Sequence, residues 1–376
     1  MLESLEVYKG KKVLITGHTG FKGSWLTLWL AQLGAVTHGY ALPPPTDPSM
    51  FRALRLHEVI HHEVEDVRDM IQLKKTISTV KPDIIFHLAA QSLVRESYSS
   101  PLYTVEVNTL GSANVMEAVR QLKLPVAMVM VTSDKCYQNK EWLHAYRETD
   151  PLGGHDPYSA SKAAAEIIIG SWRNSFFPPQ DIGSHGVRVA SVRAGNVVGG
   201  GDWTKDNIVP DCIRALEMKK AIDVRNPGAT RPWQHVLEAL GGYLLLGAKL
   251  LGGEAADTSQ YCDAFNFGPR PDSNRNVRAL VEKIIDCWGS GSWRDASTPQ
   301  APHEASLLSI SIDKAYHLLH WFPRLNFNET ISRTVDWYKY LREDPEHIRD
   351  FTLDQISLYE QNCLHVENPA EKALPY

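Results

Sequence analysis

The chain has 376 residues, 43% hydrophobic and 22% charged, a balance that supports a large buried core and excludes a disordered or collagen-like polymer. Its 39 Lys plus Arg against 44 Asp plus Glu leave a net charge of −5, which excludes a broad basic surface for nucleic acid or anionic membrane. Apolar stretches such as 84–90 fall far short of the roughly 20 residues of a membrane span, and residues 1–12 carry no continuous apolar segment of signal-peptide type.

The first half alternates strand-like and helix-like segments. Residues 12–16, an apolar run ending before glycine, predict the first strand; 21–33 place Trp25, Leu26, Leu28, Trp29 and Leu33 at helical intervals. Further strands are predicted at 35–40, 58–64, 83–87, 126–132 and 187–193, with helices at 69–80, 102–122 and 158–176. Beyond Ala194 the texture changes: four glycines fall within 195–201, helical periodicity returns at 236–251, and a strand is expected at 264–267. Two more helices are expected, at 277–288 and 328–341. Strands alternating with helices imply right-handed crossovers and a parallel sheet covered on both faces. The expected architecture is therefore α/β: a Rossmann-type doubly wound parallel sheet over 1–195, with returning segments near 236–268. A smaller, irregular α/β domain is expected from 196–235 and 269–376.

Thr16-Gly17-His18-Thr19-Gly20-Phe21-Lys22-Gly23 joins the first strand to the first helix, with glycines three and three apart. A turn of this kind brings backbone N–H groups against a pyrophosphate at a helix N-terminus. Gly17, Thr19, Gly20, Phe21 and Gly23 are thus candidate dinucleotide ligands. The second strand ends His38-Gly39-Tyr40-Ala41, without the acidic residue that grips the adenosine ribose of NAD, and equally without an Arg for the 2′-phosphate of NADP. NAD remains the expected cofactor. Asp66 is a candidate for the adenine amino group, or else a helix cap.

Tyr158-Ser159-Ala160-Ser161-Lys162 sets Tyr and Lys four apart, on one helix face. An ammonium near a phenol stabilises phenolate and makes tyrosine a base for a sugar hydroxyl. With the glycine loop upstream and hydroxyls at Thr132 and Ser133, the chain resembles the extended short-chain dehydrogenase/reductase family of NAD-dependent epimerases and dehydratases, which act on nucleotide sugars. His87-Leu88-Ala89-Ala90-Gln91-Ser92, Asn108-Thr109-Leu110-Gly111 and Arg193-Ala194-Gly195-Asn196-Val197 extend the match.

Within that family, Thr132-Ser133-Asp134-Lys135 adds an acid and a potential base beside the hydroxyl. The resemblance implies oxidation at C4 of a hexose, which acidifies the C5 proton; Lys135 then removes that proton while Asp134 protonates the departing C6 hydroxyl. Lys135 can do so only when neutral, and a free lysine has a pKa of about 10.4. The dTDP-glucose 4,6-dehydratases carry glutamate at this position. Lys135 followed by Cys136-Tyr137 is similar instead to the dehydratases of CDP-glucose, as are Gly199-Gly200-Gly201-Asp202-Trp203 and Thr230-Arg231-Pro232-Trp233-Gln234-His235-Val236.

The resemblance further implies NAD contacts from Asp66, Val67, Leu88, Ala89 and Ala90, with Tyr158 and Lys162 shared between cofactor and catalysis. It implies substrate contacts from Ser92, Arg95, Arg193, Asn196, Arg231 and His303, Arg231 being the foremost pyrophosphate ligand. A cytoplasmic homodimer or homotetramer, without nucleic acid or membrane partner, is expected. Alternatives are a nucleotide-sugar 4-epimerase, a dehydratase for another NDP-glucose, or a non-catalytic dinucleotide sensor.

Two other signals point to no chemistry. His57-Glu58-Val59-Ile60-His61 matches a zinc motif that requires a helix, but Val59, Ile60 and Val64 favour strand, and no metal is expected. The five cysteines, odd in number and widely spaced, fit reduced thiols, and Cys136 reads as a packing residue.

Overall fold

The computed structural model describes residues 2–252, 258–297 and 307–365. Seven strands form one parallel sheet: β1 (Lys12–Thr16), β2 (Val36–Ala41), β3 (His61–Val64), β4 (Ile84–His87), β5 (Ala127–Val131), β6 (Arg188–Arg193) and β7 (Ala264–Asn266). Their order is β7-β6-β5-β4-β1-β2-β3. The chain leaves β1 in both directions, so the switch between β1 and β4 opens a crevice beyond the strand ends, where α/β sheets bind ligands.

Alternation along the strands decides which helix covers which face. Leu14, Ile85, Met128 and Val189 point into a core with Ile77 of α1 (Met70–Val80) and Val115 and Val119 of α2 (Gly111–Leu122). Val13, Ile15, Phe86, Val129 and Val192 point the other way. There they meet Trp25 and Trp29 of the Phe21–Gln32 helix and Leu240 and Leu244 of the Val236–Leu251 helix. The Val236–Leu251 helix is apolar almost all round because it is buried on nearly every side.

Three two-stranded pairs lie outside the sheet: Val197–Val198 with Gln234–His235, Ile222–Val224 with Trp293–Asp295, and Thr230–Pro232 antiparallel to Asn274–Asn276. At the C-terminal end, the Phe327–Glu343 helix starts with a capping box of Asn326 and Glu329. The Ile348–His365 helix is tied to the first helix by the Trp29 indole, which donates to Glu360 at 2.7 Å.

Two expected elements carry local changes. Residues 101–122 are helical throughout, as expected for 102–122, but a π-helical turn at Glu106–Leu110 is set between Pro101–Val105 and α2. Asn108 in that turn bonds both the backbone of Gln91 and the hydroxyl of Ser161, so the extra residue aims it at two segments of the site. The strand expected at 58–64 is shorter, because Leu56–Glu58 is a 3-10 turn and β3 begins at His61. His57 and His61 therefore do not share a helix face. Among the described residues, no helix is long and apolar enough to cross a membrane.

Candidate active site

One cavity of about 2220 Å³ runs from the glycine loop across the strand ends to the Thr230–Pro232 strand. Gly17, Thr19, Gly20, Phe21, Gly23, Asp66, Val67, Leu88, Ala89 and Ala90 line it, as do Ser133, Asp134, Lys135, Tyr158 and Lys162. Ser92, Arg95, Asn196 and Arg231 line it too. His303 lies outside the described residues.

The glycines of the loop serve two purposes. Gly17 has φ +78, and a β-carbon there would lie 2.6 Å from the Ala89 nitrogen; one on Gly23 would lie 2.1 Å from the Gly17 carbonyl oxygen. Those two are dictated by packing inside the protein. Gly20 meets only the Gly17 oxygen, at 3.4 Å, and caps its helix without a side-chain acceptor. The first-turn amides are thus available to an anion on the cavity side, which fits the pyrophosphate of a dinucleotide. Gly39, within β2, is likewise dictated by packing. The His18 ring fills the space over Gly39, where a β-carbon would come within 2.5 Å of it, and bonds His62 at 2.6 Å. Asp66 is held by both its own neighbour Arg68, at 2.7 Å, and the backbone amide of that residue, while Asp69 caps α1.

Tyr158 and Lys162 ride on the Pro157–Ser175 helix in the crevice wall, which Asp156 caps by accepting from the Ser159 amide. Burial pushes the Tyr158 phenol up; a hydrogen bond with Ser133 opposes the rise, and the Asp134 carboxylate adds to it. The Lys162 ammonium donates to the Val131 carbonyl at 3.4 Å. Burial, reinforced by the Lys22 ammonium and opposed by Glu166, pushes Lys162 down to about 8.

Ser133 caps the 3-10 turn Asp134–Cys136 by accepting from the Lys135 amide, and its hydroxyl donates to Asp134 Oδ1 at 3.1 Å. Lys135 Nζ stands 5.9 Å from the centre of the Tyr158 ring. Thr132, the other candidate hydroxyl, is turned away and donates to Glu166. Cys136 is fully buried, with its thiol pushed up by burial, in keeping with a packing role.

Two substrate-side candidates are engaged within the protein. Arg193 is 3% exposed, does not line the cavity, and pairs with Glu166 at 2.7 Å while donating to the Tyr137 hydroxyl and the Glu148 carbonyl. Its guanidinium neutralises a buried carboxylate behind β5 and β6. Asn196, expected on the diphosphate, donates its amide to Asp134 Oδ2 at 3.3 Å. Arg231 faces the cavity from the strand paired with Asn274–Asn276, and Arg95 bridges to Asp206 at 3.7 Å.

Sequence reasoning passed over Lys22. It occupies the second position of the Phe21–Gln32 helix, lines the cavity, and interacts with both Asp134 and Lys162. A lysine in a first helical turn is ordinarily a solvated side chain, so nothing in its sequence neighbours marks it.

The GDP-mannose 4,6 dehydratase family model matches residues 14–334. The chain is 45% identical over 332 residues to a CDP-glucose 4,6-dehydratase of Salmonella typhimurium, covering 88% of this chain and 91% of that one. A dTDP-glucose 4,6-dehydratase of Shigella flexneri is 24% identical, over 93% and 98% of the two chains. Among solved structures, a dTDP-glucose 4,6-dehydratase from Streptomyces venezuelae with NAD bound superposes with a TM-score of 0.73 at 22% identity, covering 89% of this chain and 99% of that one. With a cavity at the sheet's switch point, a tyrosine and lysine on one helix face, and a match that spans both halves of the molecule, the chain belongs to the GDP-mannose 4,6 dehydratase family.

Proposed function

We propose that this protein is an NAD-dependent hydro-lyase that converts CDP-D-glucose to CDP-4-keto-6-deoxy-D-glucose and water. The observation that carries the reading is the Asp134–Lys135 pair, set at the end of β5 in the same cavity wall that faces Tyr158. An epimerase has no use for an acid and a base there. The 45% identical relative supports CDP as the nucleotide.

NAD held in this cavity would supply reversible hydride storage between C4 and C6 of the sugar, so the cycle would have no net redox change. Tyr158 removes the C4 hydroxyl proton, with Ser133 orienting the sugar oxygen. Lys162 orients the nicotinamide ribose and favours the phenolate. Lys135 takes the C5 proton made acidic by the C4 ketone and gives a proton back to C5 once C6 is reduced, and Asp134 gives a proton to the leaving C6 oxygen. Gly17, Thr19, Gly20, Phe21 and Gly23 hold the pyrophosphate, and Asp66, Val67, Leu88, Ala89 and Ala90 flank the rest of the dinucleotide. Ser92, Arg95, Asn196 and Arg231 serve the sugar nucleotide, Arg231 as a bidentate donor to its diphosphate.

The reading places the enzyme in the cytoplasm, as a homodimer or a pair of dimers joined through the Pro157–Ser175 helix and the 101–122 segment. Leu102 (77% exposed), Leu110 (54%) and Ile167 (59%) on those helices support that interface. The test is incubation with CDP-glucose deuterated at C4 in the presence of NAD. A 4-keto-6-deoxy sugar, read by its alkali-induced ultraviolet absorbance and carrying deuterium in the new methyl group, is the expected product. A product that keeps its C6 hydroxyl makes the protein an epimerase, and faster turnover of another NDP-glucose moves the base assignment.

A further inference from the structure

At the end marked by Arg231, the cavity wall carries a carboxylate and a guanidinium that the proposed chemistry does not use. Asp206 lines it from the loop before the Ile208–Glu217 helix, and Arg225 lines it directly after the Ile222–Val224 strand. Arg225 and Arg231 thus stand at the two ends of the connection between the Ile222–Val224 and Thr230–Pro232 strands. Arg225 donates to Asp206 Oδ1 at 2.7 Å and to the Asp206 carbonyl at 3.3 Å, and Arg95 approaches the same Oδ1 at 3.7 Å. Among the described residues Asp206 Oδ2 has no hydrogen bond, and Arg225 keeps unused guanidinium N–H groups. The Arg225 bond holds the Asp206 carboxyl below the usual carboxylate range, so the side chain only accepts. Asp206 itself sits at φ +69, a left-handed conformation uncommon for any residue with a side chain. Asp202 ties this loop by accepting from the Thr204 amide at 2.9 Å and the Asn207 side chain at 3.1 Å, one on each oxygen.

We propose that Asp206, backed by Arg225, is the specificity-determining residue that selects cytosine over uracil and thymine in the sugar nucleotide. Cytosine offers an N4 amino donor beside the N3 and O2 acceptors, whereas uracil and thymine offer O4, an acceptor, beside N3–H, a donor. A carboxylate accepts from the N4 amino group, and a guanidinium donates to N3 and O2. Uracil in the same place sets O4 against the carboxylate and N3–H against the guanidinium, so that all four groups lose their partners. With the hexose at Tyr158 and the diphosphate at Arg231, the base is the part of the substrate still to be placed. Arg225, across the strand connection from Arg231, is the cation left to receive it.

The inference rests on the CDP-glucose reading above, and its test separates the two. Values of kcat and KM are measured on CDP-glucose and UDP-glucose for the full chain with NAD, as wild type and as Asp206→Asn. Asparagine tolerates a positive φ, and its amide can accept from N4 or donate to O4. The preference for CDP-glucose in kcat/KM should therefore fall about tenfold or more, in part through a lower KM for UDP-glucose, a gain that a merely structural role would not produce. An unchanged preference, or equal loss on both substrates, overturns the role of Asp206 and leaves the dehydratase reading standing. A wild type that prefers UDP-glucose overturns the base assignment and this inference together. A second measurement needs no variant: by calorimetry on the wild type, N4,N4-dimethyl-CDP, whose amino group can no longer donate, should bind about tenfold or more weaker than CDP. Equal binding of the two overturns the proposal. That comparison decides it even where Asp206→Asn melts well below the wild type, or where the wild type turns over neither sugar and the dehydratase reading fails.

Discussion

Gly195 and Asp134 are so closely apposed that a β-carbon on residue 195 would lie 1.8 Å from Asp134 Oδ2. The carboxylate of the proposed acid is thus seated on bare backbone, with Ser133 on one oxygen and Asn196 on the other. Gly195→Ala must displace the carboxylate or the loop. It is expected to lower kcat by about a hundredfold, as loss of a positioned general acid does, with a smaller effect on KM. Steady-state assay beside Asp134→Asn checks this: if the alanine variant keeps wild-type kcat, the seat of Asp134 is not what fixes the acid.

Arg193 and Arg231 are expected to behave as opposites. Arg193→Met leaves Glu166 buried without its counter-ion, a change that costs about 3–5 kcal/mol. The loss should appear as a depressed melting temperature and poor yield. Arg231→Met removes a cavity-lining cation and should raise KM for the sugar nucleotide about tenfold or more while leaving the melting temperature near wild type. Thermal melts and saturation kinetics on the two variants separate them. A KM effect confined to Arg193 would return the pyrophosphate to that residue.

These two arginines also mark where sequence reading ends. The Val277–Trp288 and Val236–Leu251 helices and strand β1 lie where the runs of apolar residues put them, because burial, on one face of the first and nearly all round the other two, is written into a few consecutive residues. Tyr158 and Lys162 were legible for the same reason, being four apart on one helix. The role of Arg193 was not, since its partner Glu166 is 27 positions away and reaches it only through the folding of the Pro157–Ser175 helix against β6. Lys22 was hidden in the opposite way: its place in the chain was evident, and its neighbours Asp134 and Lys162 came from distant segments. The helices Ile208–Glu217 and Ile348–His365 escaped notice although both are regular. The second packs Ile356 and Tyr359 into the main core.

Lys162 is expected to lower stability while it serves catalysis. Its folded value, about 8, lies below the ordinary 10.5 of an unfolded lysine, with burial as the main cause. Below pH 8 the ammonium is charged in both states and the full cost of burying it is present; between pH 8 and 10.5 the folded protein sheds that proton first, and the cost disappears. Lys162→Met should therefore be inactive yet melt higher than wild type at pH 7, and the difference should shrink as pH rises toward 10. Melting curves across that range, with the fold checked by circular dichroism, decide the matter. An equal or lower melting temperature at pH 7 refutes the strain assigned to this residue.

Glu238, which does not line the cavity, poses the same question with the sign of charge reversed. Its carboxylate lies inside the Val236–Leu251 helix packing and accepts from the Arg324 amide at 2.6 Å and from the Tyr359 hydroxyl at 2.8 Å. Burial pushes it up to about 7 against the opposing pull of those donors. A carboxylate raised above its unfolded value makes the folded state bind the extra proton. Stability from this group is thus present below pH 4.5, falls as pH climbs to 7, and stays reduced above it. Glu238→Gln keeps an acceptor for the backbone amides and removes the charge. It should raise the melting temperature at pH 8 and make little difference at pH 5. The reverse order would mean that the charged form is the one its hydrogen bonds favour, and that the carboxylate fastens the two C-terminal helices by charge rather than in spite of it.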